Sequence, residues 1–210
     1  MMMMNRLHIL SLLLLLPISS IGQSIPSEKI LYDDGAESTL ERAYLKALCF
    51  YPELKDVKIR IKYGRIKTSM AAIPKPSSLL FRKRTNRTYT IIINKKEKSD
   101  PARLVNMAPF NAQVGLFGHE LAHILDYKEK SNCQMVGFAI SYLNQKKRKQ
   151  TEWKTDSITV AHGLGWQLYH FTHFVFNEAD INPKYRKYKT KYYMKPEALY
   201  QMVLRKEGAE

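Results

Sequence analysis

The sequence predicts an α+β fold in which a small, mostly antiparallel sheet precedes a helical C-terminal half. From Val57 to Tyr63, apolar residues alternate with cationic ones, which is the period of a strand with one solvent-exposed face. Residues 89–93 are a run of tyrosine, threonine and isoleucine, the residue types that strands favour. After Pro109 the apolar residues recur at helical spacing, over 113–128 and again over 134–149.

The remaining elements follow from the same periodicities and from the prolines. A helix is expected over 36–50, ended by Pro52. Residues 69–76 are predicted to form a loop, and a hairpin with a basic turn is expected between residues 79–81 and 88–94. The other segments are an irregular link over 101–109 and helices over 151–161, 166–176 and 197–205, with Gly163 and Gly165 interrupting the chain between the first two of these helices.

The chain is strongly basic, with a formal net charge of +15 over 210 residues. This charge indicates either weak binding to an anionic surface or only a lysine-rich solvated surface. Residues 182–210 form a basic C-terminal extension in which tyrosines alternate with cations. Such a stretch could bind nucleic acid or anionic lipid, or it could be a solvated tail whose tyrosines pack on the body, which we favour.

Residues 1–22 have the pattern of a signal peptide: a positive start, a short apolar run ended by Pro17, and small residues before a cut after Gly22. An uncleaved N-terminal anchor is the alternative. Residues 23–210 are then one exported domain, periplasmic or secreted, which we expect to be a monomer. Because that compartment holds no chromosome, no nucleic-acid partner is expected.

Two cysteines, Cys49 and Cys133, are present and do not form a CxxC pattern. An exported protein permits a disulfide between them, and two buried thiols are the alternative.

The segment His119-Glu120-Leu121-Ala122-His123 carries the strongest chemical signal. On a helix, residues four apart lie on one face, so both imidazoles could hold one Zn²⁺. Glu120, pointing aside, could reach a water on the metal and act as general base. Two histidines and a glutamate are costly to bury in such an apolar segment without a function.

A catalytic zinc needs a third protein ligand, and the chain offers two candidates. Glu129 follows His123 by six residues, but the position where the chain would need to turn is Asp126 rather than glycine. Glu152 begins a Glu152-Trp153-Lys154-Thr155-Asp156 pattern on a later helix, and we favour it. Asp156, one turn further on, could accept the free N–H of a histidine ligand.

HExxH followed by ExxxD resembles the gluzincin branch of the zincin metallopeptidases, and the match extends over about residues 111–176. The resemblance also includes small exported bacterial zincins. It implies that His119, His123 and Glu152 bind one catalytic zinc ion, that Glu120 is the base and that Asp156 supports a ligand histidine.

The resemblance leaves two features of the site to be assigned. In zincins an edge strand of the sheet aligns the substrate backbone, and Tyr89–Asn94 is our candidate. The donor that steadies the oxyanion has no clear counterpart; His162 ranks first because it is closest to the ExxxD helix, and Tyr169, His170 and His173 are alternatives.

The leading hypothesis is an exported zinc metallopeptidase that acts on a peptide or protein substrate. The alternative is a catalytically silent zinc-binding envelope protein whose basic surface binds an anionic polymer or lipid. A third hypothesis, a DNA-associated protease, is favoured by the net charge and opposed by the signal peptide.

Overall fold

The computed structural model describes residues 39–95 and 100–208, and these residues have the α+β composition that the sequence predicts. The strands are β1 (Lys58–Gly64), β2 (Met70–Pro74) and β3 (Thr88–Asn94). The α-helices are α1 (Thr39–Leu48), α2 (Pro76–Phe81), α3 (Asp100–Met107), α4 (Phe110–Lys128), α5 (Asn132–Ser141), α6 (Gln145–Thr159), α7 (Gly165–His173), α8 (Pro183–Tyr192) and α9 (Pro196–Glu207). The expected signal peptide, residues 1–22, lies outside the described residues.

The three strands form one sheet in the order β1-β3-β2. β1 runs parallel to β3, whereas β2 runs antiparallel to it. The sheet is therefore mixed, and the prediction of a mostly antiparallel sheet is wrong. A parallel pair needs a crossover connection of a dozen residues or more, and residues 65–87, which contain β2 and α2, supply it.

The two strands identified from the sequence are confirmed, but their positions in the sheet differ from expectation. β1 alternates buried and exposed residues as predicted, and β3 is buried along almost its whole length. β3 lies at the centre of the sheet, so the assignment of Tyr89–Asn94 to a substrate-aligning edge is wrong. The edge that packs against α4 is β2.

β2 is the strand that was not predicted from the sequence. Pro74 and Pro76 led us to expect a loop over 69–76, and the strand Met70-Ala71-Ala72-Ile73-Pro74 has only one β-branched side chain to indicate otherwise. Pro74 is tolerated because it lies at the end of an edge strand. The antiparallel partner of β3 is therefore 70–74, and the hairpin expected between 79–81 and 88–94 is wrong.

Two segments expected to be irregular or extended are helical. Residues 79–81 belong to α2, which starts at Pro76, and residues 100–107 form α3, with Pro101 in its first turn. Proline fits at the start of a helix because the first N–H groups have no partner within the helix. The prolines mark the beginnings of these helices and not loops.

α4 is buried along most of its length and forms the centre of the molecule. The sheet packs against it through β2, and α1, α6 and α7 also contact it. A Cβ atom placed on Gly115 would lie 2.2 Å from the backbone carbonyl of Gln167 in α7. Helices α4 and α7 are therefore in backbone contact at this point.

The interruption predicted at Gly163 is confirmed. α6 continues into a π-helical turn, Val160–Leu164, in which Gly163 has φ of 85°, before α7 begins at Gly165. The predicted final helix is confirmed as α9, and Leu199 and Val203 pack it against Val160 and Leu168. In the part of the chain that the structure describes, no helix is both long enough and apolar enough to cross a membrane.

Candidate metal centre

Helices α4 and α6 bring together the three residues predicted to bind metal. His119 and His123 lie one turn apart on α4, and Glu152 faces them from α6. Glu152 Oε2 is 3.2 Å from His119 Nε2 and 3.5 Å from His123 Nε2. All three residues are buried, and their donor atoms lie within 4.8 Å of one another. This group could hold a metal ion.

The separations suit a tetrahedral ion with nitrogen and oxygen ligands. Ligand bonds of about 2.0–2.1 Å to a tetrahedral centre place neighbouring donor atoms about 3.3 Å apart. The two measured distances from Glu152 Oε2 lie on either side of that value. Two imidazoles and one carboxylate are also a donor set that zinc takes in hydrolytic enzymes. The residues present therefore fit a zinc ion.

The second nitrogen of each histidine is held by a residue of α6. His119 Nδ1 is 2.8 Å from Asp156 Oδ1, so the ring donates to this carboxylate, and its Nε2 faces Glu152. His123 Nδ1 is 3.1 Å from Thr155 Oγ1. Because the Thr155 hydroxyl itself donates to the carbonyl of Thr151, its oxygen accepts from His123. Both rings are thereby held in the tautomer in which Nε2 can bind a metal.

Thr155 and Tyr142 are site residues that the sequence analysis missed. Thr155 occupies the position before Asp156, and only the contact with His123 reveals its role. Tyr142 directly follows α5, and its hydroxyl donates to Glu152 Oε1. Glu152 Oε2 therefore faces the histidines, while Glu152 Oε1 accepts the hydrogen bond from Tyr142.

Hydrogen bonds and charges within the group shift the pKa values of His119 and Glu152. Burial by itself lowers the pKa of His119, but hydrogen bonds to Asp156 and Glu152 and their negative charges outweigh it and raise the pKa to about 10. Burial raises the pKa of Glu152, but the hydrogen bonds and charges of His119 and His123 hold it well below its ordinary value. Without metal the site therefore holds a proton on His119, and metal binding must displace it.

Glu120 lies beside this group without taking part in it. Its side chain is buried, its carboxylate accepts a hydrogen bond from the backbone of Ala72 in β2, and its Oε2 has no partner among the described residues. Burial raises the pKa of Glu120, and the positive charges of the two histidines oppose that rise. A buried carboxylate oxygen with no partner is costly, and this favours a functional role.

Two cavities meet at Glu120 and Tyr193. The larger is a cleft of about 340 Å³ between β2 and α5, and it also reaches His123 and Glu152. Most of its lining is apolar or aromatic, and Arg148 contributes a cation to it. The smaller cavity lies on the side of His119, walled by apolar residues of α7, and Lys189 lines it.

α8 and the residue after it close the site, which the sequence analysis did not predict. Lys189 is buried, and its Nζ lies 3.8 Å from the ring centroid of Tyr193. Burial lowers the pKa of Lys189 to about 8, opposed by the carboxylates of Glu152, Asp156 and Glu120. The spacing of Tyr185, Tyr188, Lys189 and Tyr192 is helical, and this was the signal available in the sequence. The expected basic tail is thus a helix that covers the metal group.

His162 is not brought to the site. Its ring stacks on Tyr51, its Nδ1 is 2.8 Å from the carbonyl of Ile158, and its Nε2 is 3.4 Å from Glu53. It lines neither cavity. The alternatives Tyr169, His170 and His173 on α7 line neither cavity either.

Glu129 is also absent from the metal group. It caps the C-terminal end of α4 with an exposed side chain, and the described cluster contains Glu152 instead. Cys49 and Cys133 are both free and both exposed, so neither the disulfide nor the pair of buried thiols is observed.

Comparison with protein-family models, with curated proteins and with solved structures finds no match to this chain.

Proposed function

We propose that this chain is a zinc-dependent metallopeptidase of the zincin type, with His119, His123 and Glu152 as metal ligands and Glu120 as general base. The observation that carries the proposal is the buried, unpartnered Oε2 of Glu120 beside a His-His-Glu group and at the end of an open cleft. A metal site that served only to hold the fold together would not need this carboxylate.

A zinc ion held by this group would supply a Lewis acid that polarises a scissile carbonyl and acidifies a water molecule. Glu120 would accept the proton of that water and pass it to the leaving amine. The raised pKa of Glu120 suits both steps, because it makes the carboxylate a better base and the carboxylic acid a usable donor. Asp156 and Thr155 would keep the imidazoles oriented during the reaction.

The substrate backbone would lie along β2. This strand is an edge of the sheet, and residues 70–74 form one wall of the cleft next to Glu120 and His123. An extended peptide can add to such an edge through backbone hydrogen bonds, while the aromatic wall of α5 receives alternate side chains. Tyr193 replaces His162 as our candidate for the oxyanion donor, because it lines the same cleft and its ring lies 5.9 Å from that of His119.

The decisive variant is Glu120→Gln. We expect the purified variant to bind zinc as the wild type does, because glutamine keeps the volume of the side chain and Glu120 is not a ligand. Hydrolysis of a generic substrate such as casein should fall by about 10²–10⁴-fold, the usual contribution of a general base. Glu129→Gln, at an exposed position at the end of the same helix, is the matched control and should keep wild-type activity. Full activity in Glu120→Gln would refute the mechanism.

The ligand set has a separate test. Glu152→Ala should lose most of its zinc, measured by atomic emission on dialysed protein, because it removes one of three protein ligands. Glu129→Ala should retain its zinc. The opposite pattern would move the third ligand to Glu129.

The silent zinc-binding alternative predicts different results from the same proteins. In that case the wild type would hold zinc and cleave nothing, and Glu120→Gln would change neither property.

A further inference from the structure

Exposed apolar side chains directly follow residues that line the cleft on two of its sides. Leu80 and Phe81 stand at the end of α2, and Val136, Ile140 and Leu143 on or just after α5; these five residues, here called the apolar rim, are between 52 % and 84 % exposed. Large apolar side chains that cluster in water mark an interaction surface.

Helix α5 contributes to the rim because it is apolar on two faces. Met135, Phe138 and Tyr142 face inward and line the cleft. The rim residues of α5 follow these by one or two positions and share the spacing i, i+4, i+7, which places them together on the neighbouring outer face. Burial in the fold accounts for the inner face only, and residues 39–95 and 100–208 leave the outer face uncovered.

The two halves of the rim are held side by side. The Asn132 side-chain amide, at the start of α5, donates to the carbonyl of Arg82 at 3.3 Å, and the Arg84 guanidinium donates to the carbonyl of Glu129 at 3.0 Å. Leu79 and Met135 line the same cleft from its two sides. α2 and α5 therefore form two lips of one opening.

Both lips are purely basic. The chain has 19 acidic residues, but none of them falls within residues 65–95 or 130–151, the segments that carry the lips. Exposed cations directly follow the rim residues in both segments: Arg82, Lys83 and Arg84 after Phe81, and Lys146, Lys147 and Lys149 shortly after Leu143. An ordinary solvated surface mixes both signs of charge.

We infer that the rim and its cations bind the chain peripherally to an anionic phospholipid bilayer, with the mouth of the cleft facing the membrane. A bilayer surface offers apolar depth for Phe81 or Leu143 together with negative head groups for the adjacent cations. An acidic protein or a soluble polyanion would account for the cations and leave the apolar rim in water. The inference does not depend on the proposed hydrolysis, because the rim residues are not ligands and do not line the metal group.

The first test is sedimentation of the full mature protein with vesicles of phosphatidylcholine alone or with about 30 mol % phosphatidylglycerol added as the anionic lipid. We expect binding to the anionic vesicles only, weakened by salt. Replacing Lys146, Lys147 and Lys149 by glutamine should weaken it by about a hundredfold, since each cation near such a surface contributes about fivefold. The same change at Lys58, Arg60 and Lys62, on the far edge of the sheet, is the matched control and should have little effect.

The second test asks whether the apolar rim enters the bilayer. Cys133 precedes Val136 by three residues on α5, and Cys49 lies just after α1; both are free and exposed. Each can be labelled alone with an environment-sensitive dye after the other is changed to serine. Anionic vesicles should shift the emission of the label at Cys133 to the blue and leave the label at Cys49 unchanged.

The double variant Phe81→Ser, Leu143→Ser tests whether the apolar rim contributes to vesicle binding. Both positions are exposed, so the fold should be kept, and vesicle binding should fall at least tenfold while binding to soluble dextran sulfate is unchanged. Retained vesicle binding in this variant, or no shift at Cys133, would overturn the inference and indicate a site for polyanions. If vesicles bind while Glu120→Gln remains active, the membrane inference stands and the proposed mechanism fails. If vesicles do not bind while Glu120→Gln loses hydrolysis, the mechanism stands and the membrane inference fails.

Discussion

At the scale of single residues, the site depends on which nitrogen of each imidazole is left free. Asp156 and Thr155 each accept a hydrogen bond from an Nδ1–H, and both lie on the helix that also carries Glu152. The same helix therefore provides a ligand and fixes the tautomers of the other two ligands. A carboxylate raises the basicity of its histidine more than a hydroxyl does, so the two imidazoles are not equivalent.

Thr155→Val tests the neutral member of this pair. Valine keeps the shape of threonine but removes the oxygen that accepts from His123 Nδ1, so the imidazole loses its orientation. We expect zinc affinity, measured by competition with a chromophoric chelator, to fall about ten- to hundredfold. Thr151→Val is the control one turn earlier on α6, because the hydroxyl of Thr151 donates only to the carbonyl of Lys147. Equal affinities for both variants would mean that Thr155 does not position the ligand.

Sequence spacing predicted those residues that share a helix face and failed for those that meet only in the fold. His119 with His123, and Glu152 with Asp156, are four apart, and the structure brings these four side chains together. His162 was ranked by its closeness along the chain to Asp156, but six residues of helix turn it toward Tyr51 and away from the metal group. Tyr142 and Tyr193 reach the site from other elements, and no spacing rule connects them to it.

At the scale of elements, the distance between α4 and α6 must be held constant, because each supplies part of one group. Asp126, near the end of α4, pairs with Lys154 on α6 and with Lys130 beyond α4. Burial raises the pKa of Asp126, but hydrogen bonds and charge from the two lysines outweigh it and hold the pKa below the ordinary value of 3.8. Asp126 thus joins the two metal-binding helices at the surface.

Asp126→Asn should lower the free energy of unfolding by about 0.5–1 kcal/mol at pH 7, because Lys154 is largely exposed and solvent screens the pair. The pKa of Asp126 is depressed in the folded state, so its contribution is complete above the unfolded pKa and disappears as pH falls through the folded pKa. The difference from wild type, measured by urea unfolding, should therefore shrink as pH falls below 3.8 and vanish once Asp126 is protonated in the folded protein. Glu129→Gln should show no such difference at any pH. A loss that does not change with pH would rule out the ion pairs as its cause.

Two of the elements that complete the site were not recognisable as such. β2 was not recognised because Pro74 and Pro76 indicated a loop and its only β-branched residue is Ile73. α8 was expected to be a charged tail because tyrosines alternate with cations in its sequence. Most of these cations are exposed, but Lys189 and the tyrosines around it face inward. In both cases tertiary packing outweighs local composition. The helical spacing of the tyrosines was the only signal for α8, and the charged composition outweighed it.

At the scale of the whole molecule, the elements that hold Glu152 and Glu120 in place pack against α4. The sheet brings Ala72 to Glu120, α6 brings Glu152 to the histidines, and α7 packs along the helix. Among the described residues, all three strands share one core with the helices, and β2 is the strand that the sheet presents to α4. The α+β class could be predicted because its periodicities are local, whereas the strand order depends on a crossover that leaves no periodic signal.

The packing of α7 on α4 provides the last prediction. A Cβ on Gly115 would lie 2.2 Å from the carbonyl carbon and oxygen of Gln167, and a backbone cannot yield as a flexible side chain can. Gly115→Ala should therefore push the helices apart and lower the free energy of unfolding by about 2–3 kcal/mol or more. Gly137→Ala on α5 is the matched control, because nothing lies within 4 Å of its Cβ position.

The control should stabilise the protein by about 0.5–1 kcal/mol, since alanine is the better helix former. Urea unfolding of both variants measures the difference, and zinc titration of the folded Gly115→Ala protein shows whether the metal group moves with the helix. Because His119 follows Gly115 by one helical turn, we expect weaker zinc binding in this variant and unchanged binding in Gly137→Ala. Equal stability of the two variants would mean that α4 and α7 are not in backbone contact, and the central place of α4 in the fold would have to be abandoned.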